Sequence, residues 1–421
     1  VKIWFVSLTT VCQRSMRVLS ATLGVSLAQD LFLSAAPAQS CATREAPSTD
    51  PREQFCYLVK KNKDTYDISW APPGLPPATF QDHILYDLVS LYNLGANASR
   101  LQEAFDYHVK TEMLQPAAPS AGFITADNWK QHIGENNAKG PLPSKHYSDY
   151  VEFYRQEISK RGVEAALAEF TPALVDGLFS SLFHGLLTLG WGWGESGDEE
   201  ALAQGLAWMS TAFYPPAPLA DAPARSGALK DALADMRGDK RLPVYTQDPQ
   251  AFYYPILGDL VANHSKVMQE YDVVVPDNTP VNDLDEVVAE MQHAVLLLFQ
   301  GSNFTSYTNV HMIEACRVSR SLLPKLPAQV QTQLIRRLWQ AVLYNFAIQS
   351  RPQVGSTAVG EATRSWDAIV AGAFAQGDTH LHNLVWSGVA ESKRSTGDAA
   401  LYQAAADKAL ALFEAGGKWN F

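Results

Sequence analysis

Of the ten histidines in this chain, those set in apolar helical stretches have the greatest chemical potential. A buried imidazole must find a hydrogen-bond partner or a cation to offset its desolvation. His184 stands in Phe183-His184-Gly185-Leu186-Leu187-Thr188-Leu189-Gly190. Helical spacing puts Gly177, Ser181, His184 and Thr188 on one small, polar stripe, the lining that a cavity requires; the alternative is a core histidine bonded to a backbone carbonyl. His83 precedes Asp87 by one turn, a spacing that suits either a metal-binding imidazole with its carboxylate or a helix-surface ion pair. His311 shares an inward stripe with Tyr307, Ala315, Val318 and Leu322, where a structural role is the simpler reading.

The densest local cluster is Gly377-Asp378-Thr379-His380-Leu381-His382-Asn383. Asp378 suits a helix cap, and Asp-x-His can equally present a carboxylate beside an imidazole, as non-haem iron sites do. His380 and His382 lie about 200° apart on a helix, so only one of them can face a shared centre. His108, His132, His146, His264 and His293 have mostly polar or charged neighbours and read as solvated or supporting groups. H-E-x-x-H, G-x-S-x-G, G-x-G-x-x-G and Walker motifs are all absent from the sequence, which removes the usual support for zincin, α/β-hydrolase, Rossmann and P-loop chemistry.

The elements that must position these residues are helices. Apolar positions at helical spacing predict helices from His83 to Gly95, over 147–162, 172–189, 199–212, 252–271, 284–299, 306–323, 328–349, 365–376, 379–392 and 399–415. The 172–189 segment is apolar nearly all round and should be buried. No convincing strand alternation occurs outside a short valine run at 273–275, so the fold class is all-α. The expected organisation is a targeting or signal-like segment at 1–40, a proline-rich extension at 41–79 with Pro72-Pro73 and Pro76-Pro77, and one large helical domain at 80–421. The stretch 214–241 is read as a covering segment.

The chain is 421 residues long, 47% hydrophobic and 18% charged, with a formal net charge of -11. A sizeable aromatic core can therefore be buried, and the acidic balance argues against nucleic acid or an anionic membrane as partner. No uninterrupted apolar run of about 18 residues follows the N-terminal segment, so no transmembrane helix is expected. Only Cys41 and Cys56 are close enough in sequence to suggest a bridge. Residues 1–29 lack Asp and Glu and carry Lys2, Arg14 and Arg17, which suits a plastid or mitochondrial transit peptide. An apolar run at 18–28 followed by Ala36-Pro37-Ala38, with sequons at Asn97, Asn263 and Asn303, suits secretion instead.

Taken together, the ordered blocks His83 with Leu91-Tyr92-Asn93-Leu94-Gly95-Ala96, Ile124-Thr125-Ala126-Asp127-Asn128-Trp129 ahead of Gly134, Phe183-His184-Gly185 to Gly190, Gly205-Leu206-Ala207-Trp208 and Gly377-Asp378-x-His380 resemble the questin oxidase-like family. Its fungal members act in aromatic polyketide pathways. The resemblance implies an oxygen-dependent oxidoreductase that opens a ring of a hydrophobic, anthraquinone-like substrate by dioxygenation or Baeyer-Villiger insertion. It also implies one non-haem Fe(II), held in a relative by four histidines and a carboxylated lysine. Carried over, the imidazole ligands are His83, His184, His311 and His380, with the reaction depending most on His184 and His380. No Lys occupies positions 378 or 383, and Asp378 is expected to supply the carboxylate.

Trp191, Trp193, Trp208 and Trp386 are candidates for stacking on a flat substrate, against the simpler reading of core packing. Two other functions compete with the iron-dependent oxygenase. One is a metal-free oxidase that uses NADPH as external reductant, and the other is a helical binding protein whose histidines are structural.

Overall fold

The computed structural model describes residues 41, 44–70, 80–111, 114, 116–135, 146–178, 180–219, 228–246, 249–273, 275–276, 279–355, 361–394 and 397–420. The expected targeting segment, the Pro72-Pro73 and Pro76-Pro77 pairs and part of the 214–241 stretch lie outside these residues. The protein is all-α, apart from one short antiparallel pair among the described residues. That pair joins β1 (Ser69–Trp70) to β2 (Phe80–Gln81), with Ser69 opposite Gln81. No helix among the described residues is long and apolar enough to cross a membrane.

Helical packing begins earlier than Phe80. Asp50 caps α1 (Pro51–Thr65) by accepting from the Glu53 amide at 2.9 Å, and Pro51 supplies the preset φ of a first turn. Phe55, Leu58 and Val59 on its inner face join the core. Cys56 bonds to Cys41, as the cysteine spacing suggests. Charged residues on the outer face hide this helix from a reading by composition. It packs on α2 (Ile84–Asn93) and α3 (Ala98–Thr111).

The chain then runs through α4 (Tyr147–Arg161) and α5 (Val163–Leu174). Here the single helix expected over 172–189 does not form. Pro172 lies at the end of α5, a 3₁₀ turn covers Val175–Gly177, and Ser181, Leu182 and Phe183 all have positive φ (54°, 51° and 70°). Left-handed backbone is disfavoured for any residue with a Cβ, so it breaks the helix despite the apolar pattern. A short α6 (His184–Leu187) follows and widens into a π-helix over Thr188–Glu195. Glycine makes its close packing possible: a Cβ on Gly190 would lie 2.2 Å from Val318 Cβ, and one on Gly205 2.8 Å from Leu189 Cα.

The remaining helices are α7 (Glu199–Thr211), α8 (Leu229–Gly238), α9 (Pro249–Asn263), α10 (Ser265–Gln269), α11 (Val281–Gly301), α12 (Tyr307–Leu322), α13 (Ala328–Ile348), α14 (Trp366–Gln376), α15 (Thr379–Arg394) and α16 (Ala399–Glu414). The helix expected over 252–271 is interrupted at His264. Within the 214–241 stretch, α8 buries Leu229, Leu233 and Met236. At the middle of the fold α2 packs on α15, α15 on α12, and the π segment touches both α2 and α12. The N-terminal ends of α2, α6, α12 and α15 carry His83, His184, His311 and His380.

Candidate metal centre

His83 follows β2 and stands at the N-cap position of α2. Asp82 fixes this approach: its amide donates to the Ile68 carbonyl at 2.8 Å, while its carboxylate accepts from Asn62 Nδ2 at 2.6 Å and from the Ile84 amide at 2.8 Å. The ring Nδ1 of His83 lies 2.6 Å from the Gln81 carbonyl oxygen. A carbonyl only accepts, so Nδ1 carries the hydrogen and Nε2 the lone pair.

The same tautomer logic holds at two further rings. The left-handed residues 181–183 turn the Ser181 carbonyl back onto His184 Nδ1. His311 Nδ1 donates one turn back along α12 to the Tyr307 carbonyl at 3.1 Å, leaving its Nε2 buried without a hydrogen-bond partner. His380 Nε2 is likewise buried and unpartnered, while its Nδ1 stands 3.9 Å from Asp378 Oδ1.

These four rings meet. His83 Nε2 and His184 Nε2 are 3.1 Å apart, and one ligand atom each from His83, His311 and His380 fall within 4.8 Å of one another. Ring centroids are separated by 4.9 Å for His83–His184 and His83–His380, 5.0 Å for His311–His380 and 5.1 Å for His184–His311. Burial, reinforced by the neighbouring imidazoles, holds the pKa values of His184, His311 and His380 well below the ordinary histidine range. The three rings whose Nδ1 donates to a backbone carbonyl turn their Nε2 lone pairs toward the centre when neutral, an arrangement that repels until a cation occupies the space between them. The donor set suits a transition metal, with the outer nitrogens oriented as metal-bound histidines require.

Aromatic side chains line this centre. Tyr307 sets its ring edge against His311 (4.4 Å) and His380 (4.8 Å), and Trp208 stacks on His184 at 5.6 Å with an 18° tilt. Tyr86 Oη donates to the His184 carbonyl at 3.1 Å and lies 2.8 Å from Thr188 Oγ1. Glu314, one turn after His311, is buried with neither carboxylate oxygen in a well-formed hydrogen bond. Burial pushes its pKa up to about 8, with Asn383 opposing the rise and Asp378 adding to it. This acid was not singled out from the sequence, although His311-x-x-Glu314 on one apolar helix face is the signal that points to it.

Asp378 occupies a different place from that of a direct ligand. Its Oδ1 accepts from the Leu381 amide at 2.9 Å as a cap and from Trp419 Nε1 at 2.9 Å, on the Nδ1 side of His380. Asp87 also turns away from His83. It accepts from His382 Nδ1 at 2.5 Å and His108 Nε2 at 2.9 Å, so His108 is buried rather than solvated. His382 Nε2 meets the Ala373 carbonyl at 3.0 Å, which engages both of its nitrogens away from the centre. Burial works to raise the Asp87 pKa, but His382 and His108 together hold it well below the carboxylate range.

The tryptophans divide. Trp208 is at the centre, Trp191 is a fully buried core residue, Trp193 lies under Lys325 and Trp386 under Arg317. His184 and His311 are buried, whereas His83 and His380 are partly exposed as residues. Two depressions of about 370 Å³ and 210 Å³ open elsewhere on the protein, and neither is lined by a histidine of the centre.

A family model described as questin oxidase-like matches residues 80–387, a span that holds all four histidines. Among curated proteins, oxidoreductase AflY of Aspergillus parasiticus is similar to this chain, with 28% identity over 149 residues. That stretch is 33% of this chain and 28% of the Aspergillus protein, so the chain aligns with well under two thirds of that relative.

Proposed function

The chain belongs to the questin oxidase-like family, and from this premise we propose that it is an oxidoreductase, a non-haem iron-dependent oxygenase acting on a hydrophobic aromatic substrate of the polyketide type. The observation that carries the reading is the convergence of the buried His311 and His380 Nε2 atoms with the facing Nε2 atoms of His83 and His184. His83, His184, His311 and His380 would hold Fe(II). Iron bound there would supply the binding and activation of O2.

The protein's own groups have separable tasks in this reading. The Gln81, Ser181 and Tyr307 carbonyls fix three imidazoles as Nδ1–H tautomers. Asp378 provides negative charge beside His380 Nδ1 from outside the ring set. Glu314 is a buried carboxyl whose pKa burial pushes up to about 8, close enough to Tyr86 and Tyr307 to act on both phenols. Tyr307 and Trp208 give the centre aromatic walls against which a flat substrate can pack.

The test is metal analysis combined with oxygen uptake on an anthraquinone substrate, run with and without NADPH. About one iron per chain is expected, lost together with activity in His184→Ala. Dioxygenation puts both oxygen atoms into the product and needs no reductant, whereas a Baeyer-Villiger insertion puts in one and takes two electrons from NADPH. Full activity in protein free of metal would overturn the iron-dependent reading.

A further inference from the structure

Away from the four-histidine centre, His132, Glu135 and His146 bring one ligand atom each to within 4.8 Å of one another. Each is held by its own local structure. His132 ends a 3₁₀ turn (Trp129–His132) that is anchored by Tyr150 Oη donating to the Trp129 carbonyl at 2.6 Å. Glu135 follows Gly134, whose amide donates to the Ser210 carbonyl at 2.9 Å. His146 caps α4. The turn is thus docked on α4 through Tyr150 and on the end of α7 through Gly134, and the three side chains meet between the turn and the start of α4.

His132 Nδ1 and His146 Nε2 aim at the same oxygen, Glu135 Oε2, from 2.8 Å and 3.5 Å. His146 Nε2 is buried and makes no hydrogen bond there. Its other nitrogen, Nδ1, lies 3.3 Å from Asp149 Oδ2. Asp149 is itself fixed, because its Oδ1 accepts from Ser120 Oγ (2.8 Å) and the amides of Ala121 (2.7 Å) and Gly122 (2.8 Å). A carboxylate behind Nδ1 with a bare Nε2 in front is how a metal-bound histidine is oriented. Phe123 completes the frame, stacking on His146 at 4.4 Å with an 11° tilt and meeting His132 edge-on at 4.8 Å.

We propose that His132, Glu135 and His146 form a second, outer site for a divalent metal of the zinc class, oriented by Asp149 and clamping the 129–135 turn to the start of α4. Two imidazoles and one carboxylate are an established tetrahedral donor set, with a water in the fourth position. The mixed nitrogen and oxygen donors favour Zn2+ over Mg2+ or Ca2+, which take oxygen ligands.

The full chain, free of any affinity tag and stripped with a chelator, is titrated calorimetrically with Zn2+ beside Glu135→Gln, the double variant His132→Ala/His146→Ala, and His311→Ala. The wild type is expected to bind two equivalents. The double variant should bind one, and His311→Ala should keep the outer one. Glu135 is exposed, so Glu135→Gln tests the site without endangering the fold; at least a tenfold weaker outer equivalent is expected. If the four-histidine centre takes up no Zn2+, the wild type binds one equivalent and the double variant none, which still supports the outer site. Uptake by Glu135→Gln and the double variant equal to that of the wild type overturns the proposal.

Discussion

His83 and His184 point Nε2 at Nε2 across 3.1 Å, although 101 residues separate them in the chain. Each has its other nitrogen bound to a carbonyl of its own segment. Neither ring can relieve the contact by exchanging tautomers without giving up that carbonyl, and a cation between the two nitrogens would remove the repulsion.

Removing one ring from this set should empty the centre. His311→Ala deletes a fully buried imidazole, and iron content should fall at least tenfold, since even the loss of a supporting partner costs roughly 10-fold in affinity. Far-ultraviolet circular dichroism should stay unchanged. Retention of stoichiometric iron in this variant would contradict the assignment.

Asp378→Ala separates capping from metal support. Loss of the cap on α15 should cost about 1 kcal/mol, read as a lower urea midpoint. Loss of the charge beside His380 Nδ1 should weaken iron binding by about 10-fold, which is less than the His311→Ala effect. Unchanged iron affinity with reduced stability would leave Asp378 a cap and a partner of Trp419 only.

Asp87 ties α2 to α15 through His382 and to α3 through His108. Asp87→Ala leaves both imidazoles without their carboxylate in the interior and should destabilise the fold by about 3 kcal/mol. The folded pKa of Asp87 is depressed, so its contribution is present above the unfolded carboxylate pKa and is lost as pH falls through the folded value. Urea midpoints measured from neutral to acidic pH should therefore converge for wild type and variant at the acid end.

Glu314 works in the opposite sense. Its unfolded form ionises near 4.5 and its folded form only near 8. Between those values the fold retains a proton that the unfolded chain has released, so stability falls as pH rises, by up to about 1.4 kcal/mol per pH unit. The stability of metal-stripped Glu314→Gln relative to metal-stripped wild type should therefore rise between pH 5 and 8, as measured by urea unfolding, because the depressed imidazoles contribute alike to both. Parallel curves for variant and wild type would refute the buried-proton assignment.

Much of this arrangement was legible in the residues themselves. His311 falls on a helix whose apolar spacing marks an inward face, the Asp378-x-His380 pair and the ordered motifs point to His380 and His83, and His184 is reached although the continuous helix that its spacing predicts is broken at 181–183. The 200° angle between His380 and His382 anticipates their division, with one ring in the centre and the other on Asp87. What escaped depends on distance and backbone. The partners of Asp87 lie 21 and 295 residues away in sequence. The run of positive φ at 181–183 is invisible in Ser-Leu-Phe, because none of these residues announces left-handed backbone as glycine does. Glu314 is not marked by its sequence, because a single acid on a helix is ordinarily solvated.

Trp419 reaches Asp378, the Asn420 carbonyl accepts from the Tyr307 amide at 2.6 Å, and the Asn420 amide donates to the Thr305 carbonyl at 2.7 Å. The segment after α16 is thus a clasp across the starts of the two helices that carry His311 and His380. Cutting the chain after Gly417, or loading this segment with a bulky insertion, should loosen both rings at once, so a segment remote in sequence from His83 would govern how firmly the whole imidazole cage is shut.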